Sequence, residues 1–221
     1  SGEGFVEMSS GHYLYYNNNV LYGAGNYEDN DNTGFTDMEE NEINGMLYFL
    51  DNVLKEPDYT SAESIAKDPE LSELFSLLSK SDLVDTIVDP FTYDTLPFLG
   101  FMGESDYWTL FLPDNSAIIQ AENDGDIPDD PELLQDFIHN HFVKGDVIFD
   151  DGEKSGIFYT YFVDTVTDKG TVYGELDILN APGNLQITDQ SGQVIYINHD
   201  DANKLIDGGV IHKISSVIKH E

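Results

Sequence analysis

Six residues between Asp29 and Glu40 are spaced as if to hold a hard cation. Asp29, Asp31, Thr33, Gly34, Asp37 and Glu40 fall at positions 1, 3, 5, 6, 9 and 12 of an EF-hand-type loop. Oxygen ligands, a glycine for the sharp turn and a glutamate able to bind through both oxygens suit Ca2+. The flanks do not read as two helices, and position 5 is Thr rather than Asp or Asn. The alternative reading is a solvated acidic loop.

Two other groups of residues invite a chemical reading. Phe91, Tyr93, Phe98, Phe101, Tyr107 and Trp108 crowd into a short stretch. They could form an aromatic platform for a sugar or a partner protein, or a loop folded over core. His141 lies four residues after Phe137 and seven after Leu134, so it falls on the apolar face of that helix. It is either a buried histidine whose ring nitrogens bond nearby backbone or a partner contact. His139 and His141 are two apart and do not face each other, which argues against a paired zinc site.

No catalytic arrangement accompanies these groups. The chain has no nucleophile elbow and no phosphate-cradling glycine loop, and the reading is of a protein that is not an enzyme. It lacks cysteine, which excludes disulfides, thiolate catalysis and cysteine-based zinc sites. Its 43 Asp and Glu outnumber 9 Lys, with no Arg, for a formal charge of -34. That balance excludes nucleic-acid backbones and disfavours anionic membrane surfaces. No apolar run approaches the roughly 20 residues of a membrane span, so no insertion of this segment is expected.

The elements that must position these groups follow from punctuation and periodicity. Residues 1–22 read as short strands, 28–42 as an acidic loop and 46–54 as a strand. Asp68-Pro69-Glu70 and Asp130-Pro131-Glu132 are helix starts, and Asp114 caps another. Leu71, Leu74 and Leu78 form one apolar face. A short helix is expected through 82–85 and another near 200–206. From residue 142 onward the pattern turns to period two. Helices followed by strands imply an α+β fold.

The chain also repeats itself. Ser10-Gly11-His12-Tyr13-Leu14-Tyr15-Tyr16-Asn17 parallels Ser191-Gly192-Gln193-Val194-Ile195-Tyr196-Ile197-Asn198, and the apolar pattern of residues 44–54 recurs in 208–218. Three segments then resemble the fasciclin-like (FAS1) family. Thr109-Leu110-Phe111-Leu112-Pro113-Asp114-Asn115-Ser116-Ala117-Ile118 is similar to its first signature. The stretch from Leu134 to Gly145, with His141-Phe142-Val143-Lys144-Gly145, is similar to its central histidine motif. Gly208-Gly209-Val210-Ile211-His212-Lys213-Ile214 is similar to its closing signature. Asn140 stands where the family often has Tyr, and Ser215 where it usually has Asp, so the animal adhesion motifs are incomplete.

The resemblance implies a FAS1-type β-sandwich or wedge of about seven strands with helices packed at one edge. It divides the chain into a complete domain over 62–221 and, over 1–57, the strand-rich rear of a preceding copy with an acidic insertion. It implies a non-catalytic extracellular module for adhesion or surface-complex assembly, with a surface protein or glycan as partner; Asn140 and His141 are candidate contact residues read from the sequence itself. Acidic, paired copies are most similar to surface lipoproteins of Bacteroidota-type bacteria, anchored by a lipidated segment upstream of Ser1. The alternative is a glycan-binding accessory lipoprotein of a bacterial polysaccharide-uptake system.

Overall fold

The computed structural model describes every residue except 1, 2, 30, 42–44, 90, 91, 104–106 and 221; the side chains of residues 40, 41, 45 and 46 also lie outside the description. Among the described residues the strands form three sheets.

The first sheet has five antiparallel strands in chain order: β1 (Glu3–Glu7), β2 (Tyr13–Asn17), β3 (Val20–Tyr22), β4 (Thr33–Asn41) and β5 (Gly45–Leu50), with α1 (Ala24–Glu28) between β3 and β4. The acidic stretch expected as a loop is therefore mostly strand. β4 pairs with β5 from Phe35↔Leu50 to Asn41↔Gly45. A hairpin wetted by solvent tolerates carboxylates that a buried strand would reject. Buried Asn26 ties this unit together. Its side chain accepts from the Gly23 and Lys55 backbone N–H groups, both at 3.0 Å, and donates to the Val53 carbonyl at 3.1 Å.

The rest of the chain opens with two helices, α2 (Ser61–Ala66) and α3 (Ser72–Lys80). A capping box starts α2: the Thr60 hydroxyl accepts from Glu63 N–H while the Glu63 carboxylate accepts from Thr60 N–H, both at 3.1 Å. The next segment, 82–85, is not the expected helix. Asp82 takes a left-handed conformation (φ 57°) just past α3. The chain then runs into β6 (Val84–Val88), which pairs with β7 (Thr95–Leu99) as a separate hairpin. Val84, Ile87 and Val88 are β-branched, so a strand suits them better than a helix.

The main sheet follows: β8 (Trp108–Pro113), then α4 (Asn115–Asp124) and α5 (Pro131–His139), then β9 (Phe142–Lys144), β10 (Gly156–Thr167), β11 (Gly170–Ala181), β12 (Asn184–Thr188), β13 (Val194–Tyr196), β14 (Lys204–Ile206) and β15 (Gly209–Ile214). Its eight strands run in the order β13-β12-β11-β10-β9-β8-β15-β14. Asp114 and Asp130 cap α4 and α5 as their positions predict, accepting from Ala117 N–H at 2.8 Å and Glu132 N–H at 3.0 Å. The short helix expected near 200–206 is one 3-10 turn, His199–Asp201, followed by β14.

β8 is buried along its whole length. It lies antiparallel to β9 and parallel to β15. Leu110 and Leu112 pack with Leu74 and Leu78 of α3, Ile118 of α4 and Ile138 of α5. Phe111 points the other way, into a core with Leu176, Ile178, Ile187, Ile195 and Ile214. Alternation along a strand with both faces covered gives one chain segment two cores. Each fully buried Leu or Ile contributes about 1.5–3 kcal/mol.

The first sheet packs against this body through aromatic rings. Phe5 stacks on Phe149 with ring centroids 3.6 Å apart, and Tyr13 meets the same ring edge-on at 5.2 Å. Ala24, Leu205 and Val210 complete that contact.

Candidate functional site

The histidines of the signature segments serve the core. α5 ends at His139, so His141 lies just beyond the helix rather than on it. Its Nδ1 is 2.9 Å from the Phe137 carbonyl, and its Nε2 accepts from Ile218 N–H at 3.0 Å. That pairing fixes a neutral ring protonated at Nδ1. His212 is held the opposite way round. Its Nε2 donates to the Ile148 carbonyl at 2.8 Å, and its ring stacks on Phe111 with centroids 5.2 Å apart. Burial pushes both rings down to about 4.

This corrects the expectation that Asn140 and His141 meet a partner. They are 1 % and 0 % exposed, and nothing can touch them unless the domain opens. Asn140 caps α5, and its Oδ1 lies 3.4 Å from the Thr160 hydroxyl.

The six aromatic residues do not form one platform. Trp108 is core, 7 % exposed. Phe101 packs against Phe142 and Tyr161 with centroids 5.2 and 5.3 Å apart. Tyr93, at the β6–β7 turn, is 80 % exposed. Tyr107 donates to Glu7 at 3.2 Å. Phe98 is half-buried on β7, and Phe91 lies outside the described residues.

The structure does not wrap the acidic residues around a point. Asp29 and Asp31 both face the Lys55 ammonium, at 2.5 and 3.3 Å. The Thr33 hydroxyl donates to the Val53 carbonyl at 3.2 Å. Asp37 lies four residues further along extended β4, about 13 Å away at the usual strand rise. The Glu40 side chain lies outside the description. Among the described residues no group of three or more His, Asp or Glu is placed to hold a metal ion.

A cleft of about 650 Å³ gathers what remains. The β1–β2 turn, the β6–β7 hairpin and the β14–β15 turn meet there. Ile87, Phe98 and Tyr107 supply apolar wall, and His12 and Asp207 supply polar groups, 3.3 Å apart. The Trp108 indole N–H, at the same cleft, has no hydrogen-bond partner among the described residues. Sequence separation hides this assembly, because its walls come from segments far apart in the chain.

One polar site had no signal in the sequence at all. His199 Nδ1 lies 2.9 Å from the buried Asp150 carboxylate, and its Nε2 lies 3.7 Å from Glu3 on β1. The other nitrogen thus faces a second carboxylate, giving a tether between the two sheets. The hydrogen bond to Asp150 holds His199 above the usual histidine range. A raised value means stability that is full below about 6.5 and is lost as pH rises through the folded value. A titration followed by imidazole NMR resonances should therefore split the histidines: His199 loses its proton above 6.5, while His139, His141 and His212 stay neutral down to about 4. His141 titrating near 6.5 would contradict the buried network.

The Fasciclin domain family model matches residues 69–220 of the chain. Among solved structures, the chain is similar to a FAS1 domain pair from the insect cell adhesion molecule fasciclin I. The two are 14% identical with a TM-score of 0.48, over 99% of this chain and 67% of that one. No curated protein matches.

Proposed function

Because the chain belongs to the fasciclin domain family, we propose that it is a non-catalytic adhesion module, acting outside the cell or at its surface, and that its contact surface is the cleft between the β1–β2 turn and the β6–β7 hairpin. The observation that carries this reading is the cleft wall. Ile87 is 48 % exposed there beside Phe98 and Tyr107, an apolar surface with a few converging polar groups. Three histidines are held away from the cleft: His141 and His212 in the core, His199 between two carboxylates. No helix among the described residues is long and apolar enough to cross a membrane.

A glycan partner is the second reading, and the Phe98 and Tyr107 rings on the cleft wall favour it. Beads coated with the chain test the first reading. They should adhere to cells or matrix-coated surfaces while the soluble protein leaves a panel of chromogenic glycosides and esters unchanged. Turnover of any member of that panel would overturn the non-catalytic reading. Adhesion lost on adding a sugar that also binds on a glycan array would select the glycan partner over a protein.

A further inference from the structure

The five-stranded sheet leaves one of its faces open, and its counterpart within the same chain says what belongs there. β1 and β2 pair as Phe5↔Tyr15, Val6↔Leu14 and Glu7↔Tyr13. β12 and β13 pair as Gln186↔Tyr196, Ile187↔Ile195 and Thr188↔Val194. One constant shift in residue number carries all six members of the first pairing onto the second. β5 aligns in sequence with β15, Leu47 at the place of Ile211 and Leu50 at that of Ile214, and each pairs antiparallel with the strand before it, the two hairpins differing by one residue in register.

The matched residues differ in burial. Ile187, Ile195 and Ile214 are buried in the core beneath the main sheet. Val6, at the place of Ile187, is 50 % exposed, against 0 % for Ile187. Leu47 is 53 % exposed, and Ile211 is 0 %. Val6, Leu14, Tyr16, Phe35 and Leu50 together line a shallow hollow of about 840 Å³. The opposite face of β1 and β2 is occupied by the ring of Phe149. An apolar sheet face of this size left to water is a binding surface.

The edges point to the same occupant. β1 and β5 are the two edges of the first sheet. Their counterparts β12 and β15 are bonded to β11 and β8, the two ends of the block β11-β10-β9-β8. An equivalent four-strand block would pair with both edges and cover the hollow at once. A second copy of this chain has its own block already engaged, so it could cover the hollow but not the edges.

We propose that residues 3–54 are the rear half of a second fasciclin-type domain, and that the open face and edges of its sheet seat that domain's front half, a stretch of this protein preceding Ser1 and equivalent to residues 61–181. The occupant is thus an apolar-faced unit of strands and helices, joined covalently.

The absence of cysteine makes the test clean. Tyr16→Cys, or Val6→Cys should the first variant not fold, places a single thiol in the hollow, and Tyr196→Cys places one on an outer face of the intact domain. In the 221-residue chain a maleimide should label both at similar rates. In the natural chain that includes the residues before Ser1, the hollow thiol should react at least about 100-fold more slowly, limited by opening of the covered face, with Tyr196→Cys unchanged. Equal labelling of the hollow in both lengths overturns the proposal, as does a natural chain with no such preceding stretch. Protection already present in the 221-residue chain, with a dimer mass by light scattering, would assign the face to a second copy and overturn it too.

Discussion

Replacing His141 with alanine is expected to cost about 3–5 kcal/mol of folding free energy, a large part of the 5–15 kcal/mol that holds an ordinary domain together. The loss has two parts. The ring fills core space beside Phe137, and its removal leaves a cavity. Its two nitrogens satisfy the Phe137 carbonyl and the Ile218 N–H, groups 77 residues apart in the second case. Both would be stranded without water, at about 1–3 kcal/mol each. His141 thereby fastens the end of α5 to the closing segment of the chain. Thermal unfolding should show a melting point lower by about 10 °C or more. A drop of only a degree or two would mean that the ring is not the fastener described.

The same residue has a signature in pH. In the unfolded chain histidine takes a proton near 6.5, while the folded ring resists it down to about 4. Between those values the unfolded state binds more protons, so stability rises with pH. His141 therefore costs the protein nothing above about 6.5, and destabilises it progressively as pH falls toward 4, by about 3 kcal/mol in all. The pH slope of stability should be shallower by up to one proton in a His141→Phe variant.

Trp108→Ala is expected to cost a similar 3–5 kcal/mol, and that changes how the residue can be used as a probe. Trp108 begins β8, pairs with Gly209 of β15 and packs in the helix-side core. The pairing needs glycine: a Cβ on Gly209 would overlap the Trp108 carbonyl oxygen and the indole. The indole thus fills a space that two successive glycines, Gly208 and Gly209, leave empty. Loss of ligand binding on Trp108→Ala would report a loosened domain as readily as a lost platform. Circular dichroism melts should show the destabilisation directly; an unchanged melting point would return Trp108 to the list of surface aromatics.

What could be read from the sequence was what is local. Asp114 and Asp130 announce their helices because a cap is satisfied within three residues. Leu71, Leu74 and Leu78 announce a buried face because helical spacing brings them together. What escaped was set by distant partners. β4 is a strand in spite of its carboxylates because β5 lies beside it. Tyr93 and Phe101 are both aromatic and eight residues apart, yet one lies in solvent and the other under a core ring. Asn140 looks like a surface residue by type, and is buried because α5 ends against β10. The His199–Asp150–Glu3 tether joins three segments with no pattern between them.

The cleft is the central claim, and a pair of glutamate substitutions tests it most directly. Ile87→Glu places a charge on the cleft wall, while Val166→Glu places one on an exposed strand position outside it. Both residues are partly or largely in solvent, so both variants should melt with the wild type. In the bead assay, adhesion should fall at least about 10-fold for Ile87→Glu, the effect of about 1.4 kcal/mol of lost contact, and persist for Val166→Glu. Undiminished adhesion of Ile87→Glu, with wild-type melting, would contradict the cleft as the contact surface.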